Sequence, residues 1–444
     1  MSGAHAVRFA PRLFLCYYNA SMEPTPVLPR EARGLAAVFR ALRHRNFRLF
    51  FIGQNISLIG TWMQNIAVGW MVYRMTNSAA MLGIVGFASQ LPSLVLAPFA
   101  GVFADRWDKY RMIVICQVLA MIQALVIAVL TLSGYIAVWQ IAALSLTLGI
   151  ISAFEIPTRH AFLVQMVDRK EDLGNAIALN SLLFNLARLI GPPLAGFLIT
   201  VWSEGICFMV NAASYGAVLW ALARMRLPRH VRPANPSDHI RELKEGISYT
   251  FGSAPRRSIL LFIGLMSLIA MSQSVLMPVF ARDILGGGAH TLGFLAGAVG
   301  MGALAGAAYL ATWKDPLRML SIMPAAAAVF GISLLLFSVS RHLWVSVTLL
   351  FFAGSGLMAH MVVSNTVLQM ITEDDKRGRV MSFYTMAFMG MATFGTLLGG
   401  TVAGRIGAPL TVLGGGILCM AAAVLFYNSM PALKKSVSSH ATIA

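Results

Sequence analysis

The segment Gly101-Val-Phe-Ala-Asp105-Arg106-Trp-Asp108-Lys109-Tyr-Arg111 is a short polar run between two apolar stretches of the chain. It carries three basic and two acidic side chains, whereas the stretches on either side are nearly uncharged. Each of these stretches is long enough to cross a bilayer, which takes about 20 apolar residues in a helix. A turn this polar between two spanning helices is typical of a tight loop on the cytoplasmic side of a membrane.

The composition of the whole chain also indicates a membrane protein. Of its 444 residues, 58% are apolar and 11% are charged, whereas soluble domains carry about 25% charged residues. The net charge of +17 would suit a nucleic-acid partner, but the Lys and Arg residues cluster between apolar stretches. We therefore predict a lipid bilayer and no nucleic acid as partner. The four cysteines show neither metal-ligand nor disulfide spacing, and we predict no metal and no cofactor.

Apolar runs of spanning length recur along the chain and predict an all-α membrane protein with twelve transmembrane helices. The predicted spans are residues 48–74, 80–104, 110–132, 138–160, 174–201, 205–226, 257–282, 290–312, 319–339, 343–368, 379–404 and 407–429.

The distribution of basic residues predicts the orientation of these spans. Twelve spans would put both tails and every second loop on the same side of the membrane. Of the 34 Lys and Arg residues, 29 fall in these segments. Arg74, Arg282, Arg341 and Arg405 lie at the opposite ends of spans, and Arg188 lies within one. Basic residues accumulate on the cytoplasmic side. We therefore predict a multi-pass protein of the inner membrane with both termini in the cytoplasm.

Glycines that recur at an offset of 204 residues indicate an internal duplication. The matched pairs are Gly174 with Gly378, Gly191 with Gly395, and Gly196 with Gly400. A chance match between glycine-rich helices is the alternative. The predicted organisation is a cytoplasmic tail (1–39), a six-helix bundle (40–226), a cytoplasmic linker with an amphipathic helix (227–256), a second six-helix bundle (257–430) and a second cytoplasmic tail (431–444). Translation could begin at Met1 or at Met22.

The loop after the second span has the spacing Gly-x-x-x-Asp-Arg-x-x-Lys-x-Arg, which resembles the loop signature of the major facilitator superfamily between helices 2 and 3. The resemblance implies a gating loop that latches two halves of the protein in one state. The residues it implies are Gly101, Asp105, Arg106, Lys109 and Arg111. Asp108 stands where the superfamily usually has glycine. The alternative is a solvated polar turn without a latch role.

The fifth span contains Arg188-Leu-Ile-Gly191-Pro192-Pro193-Leu-Ala-Gly196. Small residues and proline let helices approach closely and bend. The run resembles the Gly-Pro motif of exporters in this superfamily, in which helix 5 meets helix 8, and so it favours efflux over uptake. The predicted eighth span offers small residues for such a contact: Gly293, Gly297, Gly300, Gly302 and Gly306. Ordinary small-residue packing is the alternative.

Few ionisable residues lie within spans, and these are candidates for proton or substrate coupling. Glu155 lies in the fourth span and Arg188 near the middle of the fifth. Arg159 follows Glu155 by four residues, so it is the expected partner on the same helix face. His360 lies well inside the tenth span, and histidine is the side chain whose unperturbed pKa lies near neutral. For all of these, a structural hydrogen-bonded role is the alternative.

Polar side chains within spans are costly against lipid and should face inward. In the superfamily, helices 1, 4, 7 and 10 line the central path, and polar residues fall on helices 1, 7 and 10 here. The candidate cavity residues are Asn55, Gln64, Asn65, Gln273 and Asn365. The many Met and Phe residues would form an adaptable apolar wall or simply membrane core.

A further set of motifs narrows the resemblance. Phe154-Glu155-Ile-Pro157-Thr-Arg159-His-Ala161 and Ala187-Arg188-Leu-Ile-Gly191-Pro192 look like the bacterial branch of enterobactin exporters and macrolide efflux proteins. Position 155 is usually Asp in that branch. The resemblance implies a monomeric secondary transporter, a proton-coupled exporter of a small organic molecule such as a siderophore or drug, working by alternating access. An uptake permease and a transport-inactive membrane sensor are the alternatives. We predict no enzyme, because the chain lacks a nucleophile elbow and a phosphate-binding glycine loop.

Overall fold

The computed structural model describes residues 39–226, 248–310, 316–373 and 376–441. These residues contain twelve helices of 20 residues or more. In chain order they are α1 (Arg45–Thr76), α2 (Ala79–Arg106), α3 (Lys109–Leu132), α4 (Val138–Leu163), α5 (Leu173–Val201), α6 (Glu204–Ala223), α7 (Ala254–Val275), α8 (Ala289–Leu310), α9 (Pro316–Val339), α10 (Leu343–Met370), α11 (Arg377–Ile406) and α12 (Ala408–Ala441).

Each predicted span coincides with one of these helices. Eleven helices in the described part of the chain are long and apolar enough to cross a membrane. The helix α1 is not among the eleven, because amide side chains such as Gln54 and Gln64 interrupt its apolar sequence. The helix α12 continues to Ala441, beyond the predicted end of its span at residue 429. Most of the predicted first tail and linker lies outside the described residues.

Local sequence determines several helix ends. Asn77 ends α1 in the left-handed region with φ of 47°, where its amide still donates to the Tyr73 carbonyl oxygen over 2.8 Å. Asp108 begins α3, since its carboxylate accepts from the Arg111 amide over 2.9 Å. Asp108 has φ of −64°, so the position usually held by glycine needs no unusual backbone here. After α7 the chain continues through a π-helical turn, Phe280–Ile284.

The helix packing repeats with a shift of six helices. In the first half, α1 packs on α5 and α6, α2 on α4, and α3 on α4 and α6. In the second half, α7 packs on α11 and α12, α8 on α10, and α9 on α10 and α12. The halves meet where α5 packs on α8 and where α2 packs on α11. A duplicated chain is expected to show such a recurrence.

The outside of the bundle is apolar. Large side chains remain largely exposed, among them Trp139, Trp344 and Leu425, each at least 70% accessible. Apolar surface of this extent marks a face that another apolar medium covers. Together with the eleven apolar helices, it defines a multi-pass membrane protein.

Candidate functional site

A cavity of about 570 Å³ lies between the two halves of the bundle. Side chains from α1, α2, α4 and α5 line it on one side, and side chains from α7, α8, α10 and α11 line it on the other. A cavity of this size accommodates a drug-sized molecule. The two sides of the cavity differ in chemistry.

The wall contributed by the first half carries most of the polar lining, among apolar side chains such as Ile66, Val85 and Phe184. Its polar lining residues are Gln64, Asn65, Ser89, Gln90, Ser145, Arg159, His160, Asn180, Ser181, Asn185 and Arg188. Four of these lie on one face of α5 at helical spacing, from Ser181 through Asn185 to Arg188, with Asn180 beside them. Sequence reasoning named Arg188 but missed the other three residues, although their spacing of three to four residues is readable from the chain.

The wall contributed by the second half is apolar and rich in methionine. Its lining includes Met271, Met277, Met358, Met361, Met389 and Phe388. Ser274 and Thr396 are the hydroxyl-bearing residues of this wall within the described part of the chain. Methionine is flexible and polarisable, so such a wall adapts to apolar groups of different shapes.

Two arginines bring positive charge to the polar wall. The Arg188 guanidinium lies over the Trp62 ring, 5.9 Å from its centroid, and both residues line the cavity. Arg159 Nε lies 3.4 Å from Glu155 Oε1, which is the predicted partner four residues earlier. Arg159 is 5% accessible and lines the cavity, whereas Glu155 is not part of the lining.

Gln64 belongs to a buried amide network as well as to the cavity wall. Its Nε2 donates to Gln123 Oε1 over 3.0 Å, and its Oε1 accepts from Asn211 Nδ2 over 2.7 Å. The network joins α1, α3 and α6, and Gln123 also donates to the Leu144 carbonyl oxygen on α4. Buried amides satisfied in this way fix the packing of the helices that carry them. Asn65, the next residue, is exposed toward the cavity.

The other candidate residues lie away from the central cavity. His360 is fully buried, with Nδ1 3.4 Å from the Met323 carbonyl oxygen and its ring 4.5 Å from that of Phe262. Asn365 is also fully buried and accepts from Gln369 Nε2 over 2.6 Å. Asn55 lies on α1 outside the lining. Gln273 lines a separate cavity of about 220 Å³ in the second half.

The predicted gating loop joins α2 to α3. Gly101, Asp105 and Arg106 lie in the last turns of α2, and their side chains are outside the described part of the structure. Lys109 and Arg111 lie in the first turn of α3, after the Asp108 cap. The latch role therefore stays a prediction.

Some glycines of α5 and α8 lie where these two helices contact each other, and others face a helix of their own half. A Cβ at Gly196 would lie 2.7 Å from the Ala289 carbonyl oxygen, and one at Gly293 would lie 2.8 Å from that of Pro192, so α5 and α8 touch backbone to backbone. Gly297 and Gly300 also face α5. Gly191 instead faces α1 at Trp62, and Gly302 and Gly306 face α10. Part of the glycine set therefore serves packing within one half.

We term the end of the bundle with the α1–α2 and α7–α8 connections the outer end, and the opposite end the inner end. At the outer end the halves are in close contact. A Cβ at Gly400 on α11 would lie 2.6 Å from the Ala79 carbonyl oxygen on α2. The Tyr73 hydroxyl donates to the Asp283 carboxylate, and Arg282 Nη1 donates to Asn77 Oδ1 over 2.7 Å. These contacts join the first half to the second.

Polar clusters at the inner end join parts of the same half. His44 Nδ1 lies 3.0 Å from Asp168 Oδ2, and His44 Nε2 lies 2.9 Å from Asp172 Oδ2, so the turn before α1 is tied to the α4–α5 turn. Arg40 pairs with the same Asp172. Burial opposes a charge on His44, but the two carboxylates outweigh it and raise the pKa of His44. Burial likewise opposes the charge of Asp172, but His44 and Arg40 outweigh it and lower the pKa of Asp172.

The second half has a corresponding cluster. The Arg256 guanidinium lies 3.8 Å from the Tyr249 ring centroid and donates to the Tyr249 carbonyl oxygen over 2.9 Å. Lys376 Nζ lies 4.3 Å from the same ring and 2.7 Å from Glu373 Oε2. The segment before α7 is thereby tied to the α10–α11 turn.

Solved structures share this architecture. A bacterial homologue of the human lysosomal transporter Spinster, in an inward-facing and occupied conformation, aligns with a TM-score of 0.64 at 14% identity, over 89% of this chain and 97% of that one. The nucleoside transporter NupG aligns with a TM-score of 0.62 at 16% identity, over 88% of this chain and 98% of its own. The chain therefore has the helical fold of these membrane transporters.

Sequence comparisons identify the family. Residues 36–442 match the family described as transmembrane secretion effector. The staphyloferrin A transporter of Staphylococcus aureus is 27% identical over 88% of this chain and 99% of its own length. The macrolide efflux protein A of Streptococcus pyogenes is 23% identical over 86% and 96%, and the enterobactin exporter EntS of Escherichia coli is 25% identical over 83% and 86%. The chain belongs to this family of major facilitator superfamily transporters.

Proposed function

We propose that this protein is a proton-coupled exporter that moves a small organic molecule from the cytoplasm across the bacterial inner membrane by alternating access. The central cavity between two helical halves, joined at the outer end, is the observation that carries the proposal. Binding between two halves that rock against each other is the usual mechanism of transporters built in this way.

We further propose twelve spans in two six-helix repeats, with both termini in the cytoplasm. The matched glycines support the repeats, because they make matched contacts. Gly191 faces α1 from α5, and Gly395 faces Leu268 on α7 from α11. Gly196 faces α8 from α5, and Gly400 faces α2 from α11. In each pair the partner helix shifts by six, as a duplication requires.

Export is favoured over uptake by two observations. The close approach of α5 and α8 uses Gly196 and Pro192, the residues of the motif that resembles that of exporters. Two of the relatives are named for efflux or export, of macrolides and of enterobactin. A siderophore or a drug-like compound is therefore the proposed cargo class.

The ion pair of Glu155 and Arg159 is the proposed coupling element. Arg159 lines the cavity near the inner end, and Glu155 lies 3.4 Å behind it. A proton on Glu155 would remove the partner charge of Arg159 and so change the field in the cavity. Coupling requires that proton and substrate favour different states of the transporter. Arg188 and His360 remain candidates for the same role.

The test is uptake of dyes, macrolides and catecholate siderophores into energised inverted vesicles that contain the protein, with and without a proton uncoupler. Uptake that the uncoupler abolishes supports proton-coupled export. Uptake that the uncoupler leaves unchanged overturns the coupling. Accumulation only in right-side-out vesicles indicates a permease, and no movement of any compound by folded protein favours a sensor.

Glu155→Gln tests the coupling element in the same assay. We expect the variant to lose most of the pH dependence of efflux, because glutamine cannot bind a proton in place of the carboxylate. Glu204→Gln is the matched control, since Glu204 pairs with Arg74 over 2.8 Å at the outer end of the same half. An unchanged pH profile in Glu155→Gln removes that residue from coupling.

A further inference from the structure

We propose that the central cavity selects amphipathic anions, with a carboxylate or similar oxyanion against Arg188 and the apolar body against the methionine wall. This inference rests on the proposed transport function and specifies its substrate class. It is carried by the charge of the described lining and by the concentration of its polar groups on the wall of the first half.

The described part of the lining is positively charged. The titratable lining residues are Arg159, Arg188 and His160, and the described part of the lining contains neither Asp nor Glu. Glu155 lies outside the lining and offsets the charge of Arg159. Arg159, Arg188 and Glu155 together carry one net positive charge. Between protein walls of low dielectric constant, a fixed charge attracts its counter-charge more strongly than it does in bulk solvent. An anion is therefore favoured over a cation of the same size.

Arg188 is placed to bind an oxyanion. Its guanidinium is held over Trp62, and Asn185 and Ser181 lie three and seven residues before it on the same face of α5. A guanidinium presents paired N–H donors that match a carboxylate, and neighbouring amide and hydroxyl groups add further donors. The stripe on α5 therefore provides a charged and hydrogen-bonding surface for one end of a ligand.

The opposite wall suits the other end of such a ligand. Met271, Met358, Met361 and Met389 with Phe388 present an apolar surface to the same cavity. Burial of an apolar body there contributes affinity roughly in proportion to its area, without demanding one shape. The polar wall therefore determines the charge of the ligand, and the methionine wall accommodates its body.

The test uses three probes with the same apolar body: pyrenebutanoate, pyrenebutanol and pyrenebutyl-trimethylammonium. Their binding to the full-length protein in phosphatidylcholine nanodiscs is measured by fluorescence anisotropy, with empty nanodiscs as background. We expect the anion to bind about tenfold more tightly than the alcohol, because a charge-assisted hydrogen bond contributes more than a neutral one. The cation should bind most weakly. Equal affinities, or preference for the cation, overturn the proposal.

Arg188→Gln should remove the advantage of the anion and leave the alcohol unaffected, and Arg188→Lys should restore part of it. Arg224→Gln is the matched control, because Arg224 also lies over a tryptophan, 5.4 Å from the Trp220 ring, but outside the cavity. Met361→Ala should weaken all three probes alike. If Arg224→Gln reduces anion binding as much as Arg188→Gln does, general surface charge explains the preference and the proposal fails.

The vesicle assay separates this proposal from the proposed function. Arg188-dependent anion binding without transport of any compound would overturn export but leave the ligand class intact. Export of a cationic compound by a protein that shows no anion preference would overturn the ligand class but leave export intact.

Discussion

The two ends of the helix bundle are held together in different ways. At the outer end, contacts join the two halves, through Gly400 against Ala79 and through Tyr73 with Asp283. At the inner end, the polar clusters around His44 and around Tyr249 each join elements of one half. The difference shows two bodies that are each internally tied at the inner end and joined to each other at the outer end.

This contrast is consistent with the alternating access that we propose. In each half, the segment before the first helix is tied to the turn between the fourth and fifth helices. His44 contacts Asp172 in the first half. In the second half, Tyr249 contacts both Lys376 of that turn and Arg256 at the start of α7. A half held in this way can move as one unit. The outer contacts, made of glycines and a few hydrogen bonds, are the ones that must break for the cavity to open outward.

The largest expected effect comes from preventing closure of the outer end. Gly400→Leu places a side chain where even a Cβ would lie 2.6 Å from the Ala79 carbonyl oxygen, so α2 and α11 cannot meet. Overpacking of this kind costs about 1–3 kcal/mol, which predicts a loss of transport of about tenfold or more. The measurement is uptake into inverted vesicles, with spin-label distances across the outer end reporting the opening.

Gly414→Leu is the matched control for this substitution. A Cβ at Gly414 on α12 meets no atom within 4 Å, so we expect near-normal transport and unchanged distances. Wild-type transport in Gly400→Leu would show that the outer end need not close.

The next effect concerns the inner end in the proposed state in which the outer end is open and the inner end is closed. If Asp105 belongs to a latch that holds the halves together there, Asp105→Asn should reduce transport several-fold and leave membrane insertion intact. Asp108→Asn is the control, because asparagine also caps a helix and should preserve the start of α3. Normal export in Asp105→Asn would contradict the latch.

A smaller effect is expected from a single hydrogen bond at the outer end. Tyr73→Phe removes the hydroxyl that donates to Asp283. A bond to a charged group at a partly exposed site contributes about 1 kcal/mol, so the outward-open population should rise about fivefold. The readout is the same spin-label distance distribution. Tyr110→Phe removes a hydroxyl that bonds to the Leu222 carbonyl oxygen within the first half, and it should leave that distribution unchanged.

The smallest expected effect is a pH-dependent change in stability from the inner cluster. The pKa of His44 is raised in the folded protein, so its stabilising contribution is complete below the ordinary pKa of about 6.5. The contribution is lost as the pH rises through the raised value. His44→Gln should therefore lower the melting temperature at pH 6 and have less effect at pH 9. A partly exposed ion pair contributes up to about 1 kcal/mol. An equal loss at both values would contradict an electrostatic role.

Much of the fold was predictable because membrane helices are encoded locally. A run of about 20 apolar residues specifies a span without reference to its neighbours, and charged turns such as that at Asp105 mark the ends. The pairing of Glu155 with Arg159 was predictable for the same reason, since four residues separate neighbours on one helix face.

The candidate site was harder to predict because inward orientation depends on packing between helices. Asn365 and Gln273 are polar and lie within spans, yet neither lines the central cavity. Asn180 and Asn185 do line it, from α5, on which sequence reasoning selected Arg188 but not these two residues. Hydrophobic periodicity does not distinguish these cases, since a polar group inside a bundle can face a cavity or another helix.

The sequence by itself determined that this chain is a helical membrane protein of a transporter family, because apolar length, basic turns and family motifs are properties of single segments. The tertiary structure decided which residues meet across the bundle. It placed Arg188 opposite the methionines, His360 in the core, and Gly400 against α2. These placements follow from how the helices pack within each half and between the halves, and no single segment carries that information.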